Sequence, residues 1–136
     1  MEIRHPVATD LLGISLLLEQ LGFPSSVDDL EARLKEMQAQ TLLAVCQGSV
    51  VGMVTTNVMP VLHRPTAVGR LSVLIVAEQE RGKGIGKALV EAAENMLRKR
   101  GCKLVEVTSN FRLEEAHAFY KHLGYEASSI RFKRSL

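Results

Sequence analysis

The stretch Val76-Ala-Glu-Gln-Glu-Arg-Gly-Lys-Gly-Ile-Gly-Lys87 joins an apolar run to an amphipathic one. Glycines at 82, 84 and 86 leave the backbone bare, so several N–H groups can point into one concavity at the positive end of a helix dipole. Arg81, Lys83 and Lys87 add charge around it. Physically this is a site for a pyrophosphate or a similar anion. Two other glycine loops fit poorly. The P-loop pattern needs Ser or Thr after Gly-Lys and an earlier Gly where this chain has Arg81; here Ala88 follows Lys87. The dinucleotide pattern G-x-G-x-x-G fails because Lys87 takes the third glycine's place. The bland alternative is a strand-to-helix turn that uses Gly for tight packing. Three glycines and three cations within seven residues weigh against it.

Outward from the turn, Leu71 to Val76 read as a strand buried on both faces. Ile85 to Arg100 carry apolar residues at Ile85, Ala88, Leu89, Ala92, Met96 and Leu97, the spacing of a helix, with Gly101 just past its end. Leu104 to Thr108 alternate around Glu106 as a strand does. A last helix is expected from about Arg112 to Leu123, stopped by Gly124, and a final strand from Ser129 to Lys133. On the other side, Glu2 to His5 form a short strand ended by Pro6. Thr9 or Asp10 caps a helix through residues 11–21, which Gly22 ends. Val27 to Gln38 form a second amphipathic helix. Thr41 to Cys46 and Val50 to Val58 are β-rich runs joined by Gln47-Gly48-Ser49, a hairpin, and Pro60 to Ala67 are loop. With no repeat or linker, a single α+β domain over residues 1–136 around a mixed sheet is expected.

Composition narrows the function. Apolar residues make up 46% of the chain, enough for a real core, so a mainly disordered chain is excluded. A net charge of +2 is too small to imply a nucleic-acid partner. Cys46 and Cys102 make neither a zinc pattern nor a disulfide framework and read as free thiols in apolar surroundings. The N-terminus has no apolar segment behind a basic start and no run approaches membrane length, so a cytoplasmic protein without membrane partners is expected. His117 and His122 have the wrong spacing for a shared metal face, and no metal site is expected.

The pattern Arg81-x-x-Gly84-x-Gly86 resembles the coenzyme A loop of the GCN5-related N-acetyltransferase (GNAT) family. A second segment resembles it too: Asn110, Ala116, Phe119, Tyr120, Gly124 and Tyr125 match the family's order of Asn, Ala, aromatic-Tyr, Gly and aromatic. From His63 to Leu136 the pattern is most like aminoalkylphosphonate and small aminoglycoside-type N-acetyltransferases, through the His63 loop, Thr108-Ser109-Asn110, and Arg131, Phe132 and Leu136. The resemblance implies an α/β/α sandwich with a mixed, mostly antiparallel sheet of about six or seven strands and about four helices. It implies acetyl-CoA as co-substrate, with the pyrophosphate on Arg81, Gly82, Lys83, Gly84, Ile85, Gly86 and Lys87. Ile75 and Val76 would offer backbone groups to the pantetheine arm, and Asn110 and Phe119 would also line the cofactor.

The reaction this implies is attack of a primary amine on the acetyl thioester, with both substrates bound together. A backbone N–H at Val76 would meet the developing oxyanion, and Tyr120 would protonate the leaving thiolate. Many relatives carry a Glu on the strand before the loop, but Ser72 and Val73 stand there. Glu106 is then the first candidate base, directly or through water, and His63 the second. Each has a plainer reading: Asn110 as a helix cap, Tyr120 as a core aromatic, Glu106 as an outward-facing strand residue. The acceptor is expected to be a small-molecule amine. A non-catalytic CoA-binding regulatory module, and acetylation of a protein- or RNA-linked amine, are the alternatives. Relatives often dimerise, so a homodimer is a further expectation.

Overall fold

Asp10 and Gly22 mark both ends of the first helix before any packing is considered. In the computed structural model, which describes residues 1–136, helix α1 spans Leu11–Leu21 with Asp10 at its N-cap and Gly22 beyond it at φ 97°. Glycine takes such a left-handed φ without steric penalty. Ser26 caps α2, Val27–Met37, by accepting the Asp29 N–H at 3.1 Å, and Asp28 and Asp29 suit the positive end of its dipole. Strand β1 is Glu2–Arg4, and β2, Thr41–Cys46, turns into β3, Ser49–Met59, through Gln47 and Gly48 at φ 48° and 78°. Two consecutive positive φ values are what a tight hairpin requires. Strand β4, Val68–Val76, helix α3, Ile85–Lys99, strand β5, Val105–Val107, and helix α4, Glu114–His122, follow.

The sheet runs in the order β1-β2-β3-β4-β5, with antiparallel neighbours from β1 to β4. Five strands thus replace the six or seven expected within the same mixed α+β class. The missing piece is the final strand: residues 125–136, Ser129 to Lys133 included, carry no regular structure. Alternation of Ile130, Arg131, Phe132 and Lys133 defines two faces, but a strand exists only where a neighbour takes its N–H and C=O groups. Ile130 and Phe132 are exposed there, so no apolar face is buried.

Alternate residues of the central strands face opposite helices. Leu43, Val45, Met53 and Ile75 share one core with Leu11, Ile14 and Leu17 of α1 and Leu30 of α2. Gly52, one residue before Met53, faces the other way and lies under α3: a Cβ there would stand 2.9 Å from Leu89 Cδ1. At Gly69 it would stand 2.8 Å from Leu97 Cδ1. These two glycines let α3 settle directly on β3 and β4. Its buried stripe is Ile85, Leu89, Val90, Ala93 and Leu97, so the face is rotated from the one read in the sequence; Ala88, Ala92 and Met96 are only half-buried at its margin.

Strand β4 is not buried on both faces. Leu71 and Ile75 are, but Ser72 is exposed and Leu74 and Val76 are half-buried. Thr55 pairs with Val73 and Thr56 with Leu71, which leaves Ser72 opposite nothing, a β-bulge that redirects the strand.

Residues 1–106 form one compact unit and 107–136 another. In the second, α4 closes on Gly124 at φ 95°, and the Tyr125 N–H returns to the Tyr120 carbonyl at 3.0 Å. No helix of the protein is long and apolar enough to cross a membrane.

Candidate functional site

After β4 the chain makes one 3-10 turn, Glu78–Glu80, and then passes through Gly82 at φ 79° and Gly84 at φ 83°. Gly84 is the N-cap of α3, and no side chain caps the helix. The Ala88 N–H closes the first helical bond, on the Gly84 carbonyl at 3.1 Å. The amides of Ile85, Gly86 and Lys87 therefore have no partner within the helix and point outward at its positive end. A Cβ built on Gly82 or Gly84 meets nothing within 4 Å. Packing thus does not demand glycine here, in contrast to Gly52; the φ values do, and the space where a side chain would stand is open.

The three cations around this turn each have a partner. Lys83 Nζ donates to Glu80 Oε2 at 2.8 Å, and that hydrogen bond raises the Lys83 pKa. Lys87 Nζ lies 3.8 Å from Glu91. Both pairs are exposed and worth little, so either lysine can turn to an arriving anion at small cost. Arg81 is used differently: its Nε donates to the Val76 carbonyl at 3.2 Å, folding the turn back on the strand that precedes it.

That strand ends with an open edge. The Ala77 N–H donates to the Val51 carbonyl at 2.8 Å, so the backbone groups of its neighbour Val76 point away from β3. On that side β5 contributes three residues against nine in β4, and it starts beside Gly69, whose N–H bonds the Leu104 carbonyl at 2.9 Å. A three-residue strand starting there cannot reach Val76. Gln20 of α1 approaches instead: its Nε2 donates to the Val76 carbonyl at 3.3 Å and its Oε1 accepts the Glu78 N–H at 3.1 Å. Sequence reading missed Gln20, and no sequence signal marks it. A polar residue near the exposed end of an amphipathic helix looks like solvated surface.

Of the candidate bases, Glu106 is held by Arg70, with Nη1 to Oε1 at 3.1 Å. His63 sits exposed in the loop after β3, as does Arg64. Ser72, one of the two strand residues standing where the resemblance leads one to look for a carboxylate, shares a 2.7 Å hydrogen bond with the Thr55 hydroxyl. No group of three or more His, Cys, Asp or Glu side chains is gathered to hold a metal ion. Cys102 is buried and Cys46 half-buried, both as free thiols.

The second unit holds the remaining candidates. Asn110 does not cap α4 directly, because Leu113 is the N-cap. It builds the turn before the helix: its Oδ1 accepts the Arg112 N–H at 3.0 Å, and its carbonyl accepts the Leu113 N–H at 2.9 Å and a bond from His117 Nε2 at 2.8 Å. His117, unassigned from sequence, thus fixes the Asn110 turn. Tyr120 lies edge-on between Phe119 and Tyr125, with ring centroids 5.2 and 5.8 Å away. Burial of its phenol raises its pKa, so the hydroxyl holds its proton at neutral pH.

Residues 14–125 match the Acetyltransferase (GNAT) family. Over 140 aligned residues the chain is 31% identical to the aminoalkylphosphonate N-acetyltransferase of Salmonella typhimurium, with 99% of this chain and 91% of that one covered. Among solved structures, a Trypanosoma brucei acetyltransferase superposes with a TM-score of 0.83 at 27% identity, covering 99% of both chains. An aminoglycoside N-acetyltransferase in complex with CoA shares the fold, with a TM-score of 0.86 at 20% identity over 98% of this chain and 93% of that one. The protein is an acyl-CoA-dependent N-acetyltransferase, with acetyl-CoA as its co-substrate. It belongs to the GCN5-related acetyltransferases, the GNAT family.

Proposed function

We propose that residues 1–136 act as a single catalytic domain that moves an acetyl group from acetyl-CoA to a primary amine of a small molecule, with both substrates bound together. The observation that carries the donor side is the start of α3 at Gly84, which no side chain caps and where the places of the Gly82 and Gly84 side chains stand open. Its chemistry suits a pyrophosphate: backbone N–H donors at Ile85, Gly86 and Lys87, glycines at 82 and 84 that let phosphate oxygens approach, and Arg81, Lys83 and Lys87 around them. The outward edge of β4 at Val76 suits the pantetheine arm, whereas Ile75, paired with Met53, turns its backbone groups toward β3 and does not offer them as expected. Asn110 and Phe119 complete the cofactor contacts by resemblance to the family.

In this reading the amine, ionised as ammonium in water, loses a proton to Glu106, directly or through water, before its nitrogen attacks the thioester carbonyl. The Val76 N–H meets the negative charge that develops on the carbonyl oxygen. As the C–N bond forms and the C–S bond breaks, Tyr120 gives its proton to the departing thiolate. The surplus proton on the new amide nitrogen passes to the Tyr120 phenolate, directly or through water, restoring it. The raised pKa of Tyr120 suits a group that must be protonated when the thiolate leaves.

For the acceptor, the similarity to an aminoalkylphosphonate N-acetyltransferase over nearly the full chain favours an amine that carries a phosphonate. The test is acceptor-dependent release of CoA thiol from acetyl-CoA with aminoalkylphosphonates, polyamines, aminoglycosides, amino acids and short peptides. Release with an aminoalkylphosphonate at a kcat/KM above the other amines is expected. Turnover confined to peptide N-termini, or none with any amine, would overturn the small-molecule reading.

A further inference from the structure

Gln20 lies outside every role assigned so far, yet its carboxamide makes two bonds to main chain more than fifty residues away. The groups it meets, the Val76 carbonyl and the Glu78 N–H, flank Ala77, whose own N–H is bonded to Val51 on the opposite side. One amide that donates to the carbonyl before a residue and accepts from the N–H after it makes the contacts of a neighbouring strand in a parallel ladder. The Gln20 side chain therefore supplies a single rung of sheet beyond the reach of β5. Residues 76–78 are held from both sides, by β3 through Ala77 and by α1 through Gln20. Arg81 Nε shares the same carbonyl, so the strand end, the turn and α1 meet on one oxygen.

We propose that Gln20 is a positioning residue for the acyl donor. This rests on the reading above that CoA lies along this edge of β4. By engaging the Val76 carbonyl, Gln20 fixes the direction of the Val76 N–H and the path of the chain into the glycine turn. It also holds the Val76 carbonyl on the outward edge of the strand, along which the pantetheine arm is proposed to lie. Removing the rung loosens a pre-organised edge that the ligand must then order for itself, a cost paid in affinity.

The test is Gln20→Leu, which keeps the bulk at an exposed position and removes both bonds. Loss of one or two net hydrogen bonds corresponds to a fall in CoA affinity by calorimetry of roughly tenfold. KM for acetyl-CoA should rise by a similar factor with kcat at saturation within about twofold. The Glu78 amide should lose protection from hydrogen exchange, while the unfolding midpoint stays at the wild-type value. Gln20→Glu, which retains the acceptor for the Glu78 N–H, should fall between the two in Glu78 protection. CoA affinity in Gln20→Leu equal to wild type, or a loss matched by a fall in the unfolding midpoint, would overturn the proposal. Failure of the wild-type protein to bind CoA would instead remove the donor-site reading and this proposal together.

Discussion

Arg70 Nη1 stands 3.1 Å from Glu106 Oε1 and fixes the carboxylate at the junction of β4 and β5. A general base must be held where its substrate's proton arrives, and a charged partner on one oxygen sets its orientation. If Glu106 is that base, Glu106→Gln keeps its size and should lower kcat about a hundredfold or more, with CoA affinity unchanged. Steady-state kinetics with saturating acetyl-CoA decide it. A kcat equal to wild type would make Glu106 a strut for Arg70.

The turn at 81–87 and the bounds of α1 and α3 were legible because local chemistry sets them: Thr9 or Asp10 before α1, the glycine turn before α3, and Gly22 and Gly101 past their ends. Helix α2 was legible from its apolar spacing, though its Ser26 cap was not. What stayed hidden depends on partners distant in sequence. The bulge at Ser72 follows from a register shift against Thr55 and Thr56, which a run of apolar residues does not announce. The tail from Ser129 has the right alternation and no ladder to join. Gln20 gains its meaning only when α1 is laid beside the end of β4.

Gly52→Ala tests how closely α3 must approach the sheet. The new methyl would stand 2.9 Å from Leu89 Cδ1 and 3.2 Å from both the Ile75 carbonyl oxygen and Ile85 Cγ2. The leucine tip can move, but the backbone oxygen and Ile85, the first residue of α3, have less freedom. Destabilisation of about 1–3 kcal/mol in urea unfolding is expected. CoA affinity should fall as well, because the start of α3 is displaced. Wild-type stability would show that the helix has slack above β3.

Acid stability should depend on Asp10. Its carboxylate is buried, takes Arg4 Nη1 and Nη2 at 2.7 and 3.0 Å, and accepts the Val7 N–H at 2.8 Å. The Arg4 hydrogen bonds lead in holding its pKa below the usual aspartate range, against the opposing effect of burial. A lowered folded pKa means that this stability is present above the unfolded aspartate value, near about 3.9, and is lost as pH falls through the folded value. Asp10→Asn should lower the urea midpoint at neutral pH and flatten the acid limb, so the two proteins converge as pH drops. Parallel curves for the two would refute the assignment.

Tyr120 should titrate above the ordinary tyrosine range. Burial raises its pKa, so the phenol stays neutral beyond the ordinary value of about 10. The linked stability is present below that value and lost as pH rises through the folded one. Phenolate absorbance in wild type and Tyr120→Phe would show a titration step above the ordinary range disappear in the variant. In turnover the same variant should lower kcat with CoA affinity nearly intact, and an unchanged kcat would leave Tyr120 as packing for Phe119 and Tyr125.

Gly84 and Gly101 stand at opposite ends of α3 with almost the same backbone, φ +83° and +84°, and at neither does an added Cβ meet an atom within 4 Å. Alanine at either position therefore carries a similar left-handed strain of about 1–2 kcal/mol. What differs is the role of the open space. Gly84 stands at the amide end of α3, where the proposed site takes phosphate oxygens; Gly101 stands at the carbonyl end, which repels an anion. Comparable losses of stability, with CoA affinity reduced at least about tenfold in Gly84→Ala alone, are expected from calorimetry and urea unfolding. An equal effect of both alanines on CoA would mean that strain in α3, rather than access to its amides, governs binding, and the anion would have to be placed elsewhere.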